Sequence, residues 1–341
     1  MKSWRTSCTR PPEHKKSILV LLALIVILAA VLSLCLGAAA LTPGDMLAVL
    51  TGRQTGTAAA RILLYVRLPR TAACLLAGGA LAVSGAVIQG VLANSLAAPN
   101  IIGVNAGAGL MVVLCCALVP TAAALTPYAA FAGALLGVLL VLFISEKSGA
   151  SKMTLVLAGV AMSSLFSAGI DTVLTLVPDA LMGYSDFRIG GFSGVSMARV
   201  APAFWVVLVS LVAVFSLCNE LDVLMLGTET AQTLGLPARR LRIVLLALAA
   251  ALSGAAVSFS GLLGFVGLIV PHIMRRLVGE ESRVLLPAVL LGGAGLVTLC
   301  DLLARVLFAP YELPVGIVLS LVGGPFFLWL LLTKRGGKLH G

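Results

Sequence analysis

The residues able to do chemistry are few and far apart. Inside the long apolar runs stand only two carboxylates, Asp171 and Asp301. A charge at membrane depth costs about 3 kcal/mol or more and usually has a role. Asp301 and Arg305 are four residues apart, a spacing that lets one helix pair them. Proton- or sodium-coupled carriers need a connected relay of embedded carboxylates, and two isolated aspartates make a thin one. The cysteines (Cys8, Cys35, Cys74, Cys115, Cys116, Cys218, Cys300) contain no C-x-x-C pair and mostly sit in apolar runs, so they read as small packing residues. The histidines, His14, His272 and His340, are too scattered to suggest a metal cluster. Gly336-Gly-Lys338 lacks the first glycine and the hydroxyl of a phosphate loop, and G-x-S-x-G and H-E-x-x-H are absent. The expectation is no catalytic residue, no metal and no cofactor held by this chain. Energy from ATP would have to come from another polypeptide.

The elements around these residues belong in lipid. Of 341 residues 60% are hydrophobic and 11% charged, and the mean hydropathy is +1.13. A soluble domain carries about 25% charged residues, so there is too little charge here to coat a globule. The net charge of +10 does not mark a nucleic-acid binder, because the basic residues fall in short clusters between apolar runs. Runs of roughly 20 residues suffice to cross a hydrocarbon core.

Ten such segments are read: 18–41, 71–92, 101–119, 126–144, 154–177, 201–218, 243–260, 262–274, 284–304 and 313–332. The expected fold is an all-α polytopic membrane protein with about ten transmembrane helices. A basic cytoplasmic tail covers 1–17, the permease-like membrane domain 18–332 and a second tail 333–341. The first run is longer than a signal-peptide core and is read as a retained span, although Ala38-Ala39-Ala40 resembles a cleavage site. The eighth is short and holds Pro271, so a tilted or broken helix is expected there. With both termini cytoplasmic, 16 basic residues lie inside and 7 outside, and all seven lysines are inside. Leu81–Val87 and Ala251–Val257 echo each other in spans of opposite direction, as an inverted repeat requires. Gly103-x-x-x-Gly107 and Gly133-x-x-x-Gly137 place small residues on one helix face for close packing. Gly261, Gly264 and Gly267 suggest either tight packing or a stretch with little helix stability.

Two polar regions can meet partners. The outer side keeps arginines only, and a guanidinium fork pairs two hydrogen bonds to a carboxylate. These arginines either grip a partner's carboxylates or snorkel to headgroups. The longest polar cytoplasmic segment, 219–242, contains a short helix with Thr228 as its expected cap, ended by Gly235 and Pro237. It either inserts into a partner's groove or is an ordinary connection.

Several ordered motifs resemble those of the permeases of iron-siderophore, haem and cobalamin ABC importers, over essentially the whole chain. They are Arg67-Leu-Pro-Arg70, Ser84-Gly-Ala-Val-Ile-Gln89, Asn94-Ser-Leu-Ala-Ala-Pro99 with Gly103 and Gly107, and Leu226-Gly to Leu236-Pro237. The most specific are Gly264-Phe-Val-Gly-Leu-Ile-Val-Pro-His272 and Glu312-Leu-Pro-Val-Gly316 with Gly323-Gly-Pro325. Ser95 departs from the family, which more often has proline there. The resemblance implies a multi-pass permease in a bacterial or archaeal cytoplasmic membrane. A second permease subunit, two ATP-binding subunits using ATP and magnesium, and an extracytoplasmic solute-binding protein would complete it. It implies that Arg67, Arg70 and Arg305 receive binding-protein glutamates. It makes Leu226, Gly227, Thr228, Glu229, Thr230, Ala231, Leu234 and Gly235 the ATPase-coupling segment. Ser151, Lys152 and Met153, in the turn between spans four and five, become the candidate inner gate. The cargo implied is an iron(III)-siderophore, with haem and cobalamin behind. The rival reading is an ion-gradient-coupled secondary transporter.

Overall fold

A computed structural model describes residues 12–37, 44, 49, 57–149, 151–307 and 311–335. Among the described residues all regular structure is helical. The expected tails 1–17 and 333–341 fall largely outside them, as does the Ala38–Ala40 stretch.

The helices are α1 Pro12–Cys35, α2 Ala58–Leu92, α3 Val104–Leu118, α4 Thr126–Lys147, α5 Lys152–Leu176, α6 Ala180–Ile189, α7 Met197–Ser216, α8 Cys218–Met225, α9 Thr228–Thr233, α10 Ala238–Ser260, α11 Val266–Val278, α12 Ser282–Val306 and α13 Val315–Arg335. Each of the ten apolar segments overlaps one of them. Among the described residues seven helices (α1, α2, α4, α5, α7, α10 and α12) are long and apolar enough to cross a membrane. α3 has 15 residues and α11 has 13, so as straight helices they rise about 22 and 20 Å, short of a 30 Å core. α6 was not anticipated, because its apolar and polar residues are mixed without a long run.

Ion pairs and caps show which helix ends lie together. At one end Lys15 pairs with Glu281 at 3.1 Å, Arg239 pairs with Glu146, and Asp222 accepts from Ser282 N at 3.1 Å and Ser282 Oγ at 2.5 Å. This gathers the starts of α1, α10 and α12, the end of α4, and α8. At the other end the close of α1, the start of α2 and the close of α12 meet around Asp301. α1, α10 and α12 therefore run in one direction and α2 and α4 in the other.

α2 is the central post, buried along nearly all of Pro69–Leu92. Without a hydrophobic drive in lipid, backbones must approach closely to gain contact energy. A β-carbon on Gly78 would run into Gly293 of α12, and one on Gly85 into Gly267 of α11. The two G-x-x-x-G motifs of α3 and α4 face each other: Gly107 and Gly133 block each other's β-carbon, and one on Gly137 would stand 2.7 Å from Gly103 O. Ser84 on α2 donates to Ala249 O on α10 at 2.6 Å, so the two helices that carry the echoed segments are packed neighbours.

The glycine series 261–267 has both properties expected of it. Residues 261–265 are non-helical, with Gly261 at φ 68° and Phe265 at φ 66°, while Gly267 makes the tight contact. Non-helical backbone survives at such depth only when other protein groups satisfy it. Leu262 N donates to Phe187 O at 2.9 Å, and Gly191 N donates to Ser260 O at 2.8 Å. The end of α6 thus replaces the missing helix turn.

Candidate functional site

The end of the bundle away from Lys15 and Glu281, outer in the expected topology, is built on Asp301, which is fully buried. Arg70 grips it with Nε at 3.1 Å from both carboxylate oxygens and Nη2 at 3.0 Å from Oδ1. The remaining Arg70 nitrogen, Nη1, donates to Glu312 Oε2 at 2.6 Å. The expected i, i+4 pair is present, with Arg305 Nε 3.1 Å from Asp301 Oδ2. Arg305 Nη2 donates to Ser33 Oγ at 2.8 Å, and Ser33 shares a 2.8 Å hydrogen bond with Thr71. Arg67 donates from Nη1 to Leu34 O and Cys35 O at 2.7 Å, placing a cation on the carbonyl end of α1, where the helix dipole favours it. A π-turn over Leu63–Arg67 sets the register that turns Arg67 toward α1.

The three arginines expected to receive a partner's glutamates are drawn inward. Arg67, Arg70 and Arg305 are all buried, and their donors serve this chain. The reason is Asp301: a carboxylate at zero exposure must be paired, and two guanidinium groups converge on it. Three guanidinium charges against two carboxylates still leave this cluster positive. Glu312, partly exposed, completes the cluster. Its role was not seen from sequence, nor was the reach of Arg70 across 231 positions to Asp301; the unexplained aspartate in an apolar run was the available signal.

At the opposite end the segment 226–235, expected to couple to an ATPase, is a small scaffold. Thr228 opens α9 rather than capping it: Gly227, at φ 120°, is the N-cap. The Thr228 hydroxyl instead accepts from Arg242 Nη2 at 2.9 Å, because a guanidinium at the start of α10 lies within reach. Gly235, at φ 81°, ends the helix as expected, with Leu236 N returning to Ala231 O at 3.0 Å. Ala231 is buried, while Leu226 and Leu234 are 69% and 63% exposed. Two leucines projecting from a polar surface form a hydrophobic ridge. The ridge is anchored through Asp222 to α12 and through Arg242 to α10. α8 also lies against Gly90 of α2, where an added β-carbon would touch Leu221 at 3.1 Å.

Ser151 caps α5, its Oγ accepting from Thr154 N at 3.0 Å. Lys152 follows, and Met153 is largely exposed. On α2, Gln89 Nε2 donates to Gly267 O at 3.1 Å while its Oε1 accepts from Arg275. This buried amide lock between α2 and α11 is a further structural role that the sequence reading missed; a glutamine in an apolar run was its sign. Among the described residues no group of three or more His, Cys, Asp or Glu side chains is placed to hold a metal.

These motifs, in this arrangement, match the model of the FecCD transport family over residues 24–333. The chain belongs to the FecCD transport family. Curated relatives include the Fe(3+)-citrate import system permease protein YfmE of Bacillus subtilis, 35% identical over 95% of this chain and 97% of that one. The hemin transport system permease protein HmuU of Yersinia pestis is 40% identical over 83% of this chain and 86% of that one. A solved inward-facing structure of a metal-chelate type ABC transporter superposes with a TM-score of 0.84, at 30% identity, covering 93% of this chain and 99% of that one. The FecCD chain is accordingly a multi-pass membrane protein of the permease type. The resemblance read from its motifs holds.

Proposed function

We propose that this chain is the permease subunit of a binding-protein-dependent ABC importer, carrying a ferric chelate of the siderophore type across the cytoplasmic membrane, with haem and cobalamin as the neighbouring cargo classes. The observation that carries this reading is the Leu226–Leu234 ridge. It is apolar, projects from the polar end, and is braced to α2, α10 and α12. Such a ridge suits the groove of a separate ATPase subunit, and its movement with that subunit would carry the three helices together.

Two permease subunits, two ATPase subunits and an outer binding protein form the proposed complex. At the outer end a glutamate of the binding protein displaces Glu312 from Arg70 Nη1, while Arg67 and Arg305 brace the seat. The uncompensated positive charge draws the partner in. At the inner end the turn holding Ser151, Lys152 and Met153 forms the gate, opening and closing as α5 tilts.

The decisive measurement is ATP hydrolysis by the reconstituted complex with and without loaded binding protein. Stimulation by loaded protein supports the reading. Uptake that persists without the ATPase and collapses with the ion gradient would establish the rival, secondary-transporter reading.

A further inference from the structure

One face of α5 is out of keeping with lipid. Val160, Ser163, Ser164, Ser167, Ala168 and Asp171 recur at three- and four-residue steps, so they share one side of the helix. With Asn100 and Ile101 from the loop before α3 they line an open groove of about 590 Å³. The loop is pressed into the helix, since a β-carbon on Gly159 would meet the Ile101 carbonyl. The opposite face of α5, with Leu155, Gly159, Phe166 and Ile170, is packed inward.

Two polar groups in this groove are unspent. The buried Oγ of Ser163 has no hydrogen-bond partner among the described residues. The Asp171 carboxylate is exposed and makes no ion pair with any described residue. Ser164, by contrast, satisfies itself on Val160 O at 3.1 Å. An unpaired carboxylate on an exposed helical face, with an orphaned hydroxyl buried at its edge, is costly against hydrocarbon and ordinary against water. No lysine or arginine lines the groove.

We propose that this groove is a water-filled wall of the translocation path and that Asp171 sets its charge preference. The path then favours neutral or cationic metal chelates over polyanionic ones. The inference deepens the importer reading and rests on it. With one such wall from each permease subunit, a polyanionic chelate would pass fixed negative charge with no cation to offset it.

The test uses the full complex in vesicles and water-soluble thiol reagents of opposite charge, trimethylammonium-ethyl and sulfonato-ethyl methanethiosulfonate. Ser164→Cys and Ser167→Cys are labelled in turn, with the unsubstituted chain giving the native-thiol background. Leu21→Cys and Val209→Cys, on exposed apolar faces of α1 and α7, serve as lipid-facing controls. Both serine positions should label while the controls do not, with the cationic reagent faster on the order of tenfold, as a fixed charge about 7–10 Å away in a partly polar medium gives. Asp171→Asn and Asp171→Ser should each remove that preference, and Asp171→Glu should keep it. No labelling of either serine position in a complex that still hydrolyses ATP on demand overturns the wet-wall assignment. Labelling with a charge preference untouched by the neutral variants overturns the role of Asp171. Normal labelling and charge preference in a complex whose ATPase never responds to loaded binding protein would instead sink the importer reading, so the two failures are separable.

Discussion

Arg70 and Asp301 lie 231 residues apart in the chain and share three hydrogen bonds of 3.0–3.1 Å at one buried end of the bundle. The pair joins the start of α2 to the end of α12, and Arg305 adds a second guanidinium to the same carboxylate. Sites of this kind are brittle. Removing one member strands the others in a place that water reaches poorly.

Asp301→Asn should therefore destabilise the chain by about 3–5 kcal/mol, the range for breaking a buried pair. Thermal unfolding in detergent reads the loss. Combining it with Arg70→Gln should cost less than the two single changes summed, since the second substitution removes a charge already stranded. Strict additivity would show that the two side chains are not coupled.

Glu312→Gln tests the proposed exchange on Arg70. A carboxamide competes less well for Nη1, so the binding protein should dock about three- to tenfold more tightly, because a competing anion is gone. Arg70→Glu should abolish docking and also weaken the fold, which makes it the poorer probe. An unchanged docking constant for Glu312→Gln would leave the exchange without support.

Leu226→Ser and Leu234→Ser alter exposed side chains, so the melting temperature should move little. Solute-stimulated ATP hydrolysis should fall at least tenfold, because the ridge seats in the partner. Ala231→Leu should behave oppositely. Its side chain has no room, and the first symptom should be loss of the folded segment by about 1–3 kcal/mol, the ordinary cost of overpacking.

Gly85→Ala should prevent normal assembly of α2 against α11, since the added methyl group meets the Gly267 carbonyl, a backbone atom that cannot swing away. Gly264→Ala, where nothing lies within 4 Å of the added carbon, is the matched control and should be tolerated. Yield of monodisperse protein after extraction compares the two.

Membrane residence, the helical segments and the family were legible in the residues alone. The reason is local: lipid demands about 20 apolar residues per crossing and confines lysine largely to one side, and both demands leave their mark along the chain. The pairing of Asp301 with Arg305 was legible for the same reason, being one helical turn. The fate of the arginines was not. Whether a guanidinium points outward or inward depends on whether an acid from another helix is in reach, and Asp301 and Glu312 come to Arg70 only when α12 and the start of α13 close on α2. Likewise Thr228 has the chemistry of a cap, yet Arg242 claims it once α10 folds back. Spacing within one helix is written in sequence; which distant partner claims a side chain is settled when helices pack, because only then does the cost of burying an unpaired charge or donor choose among them.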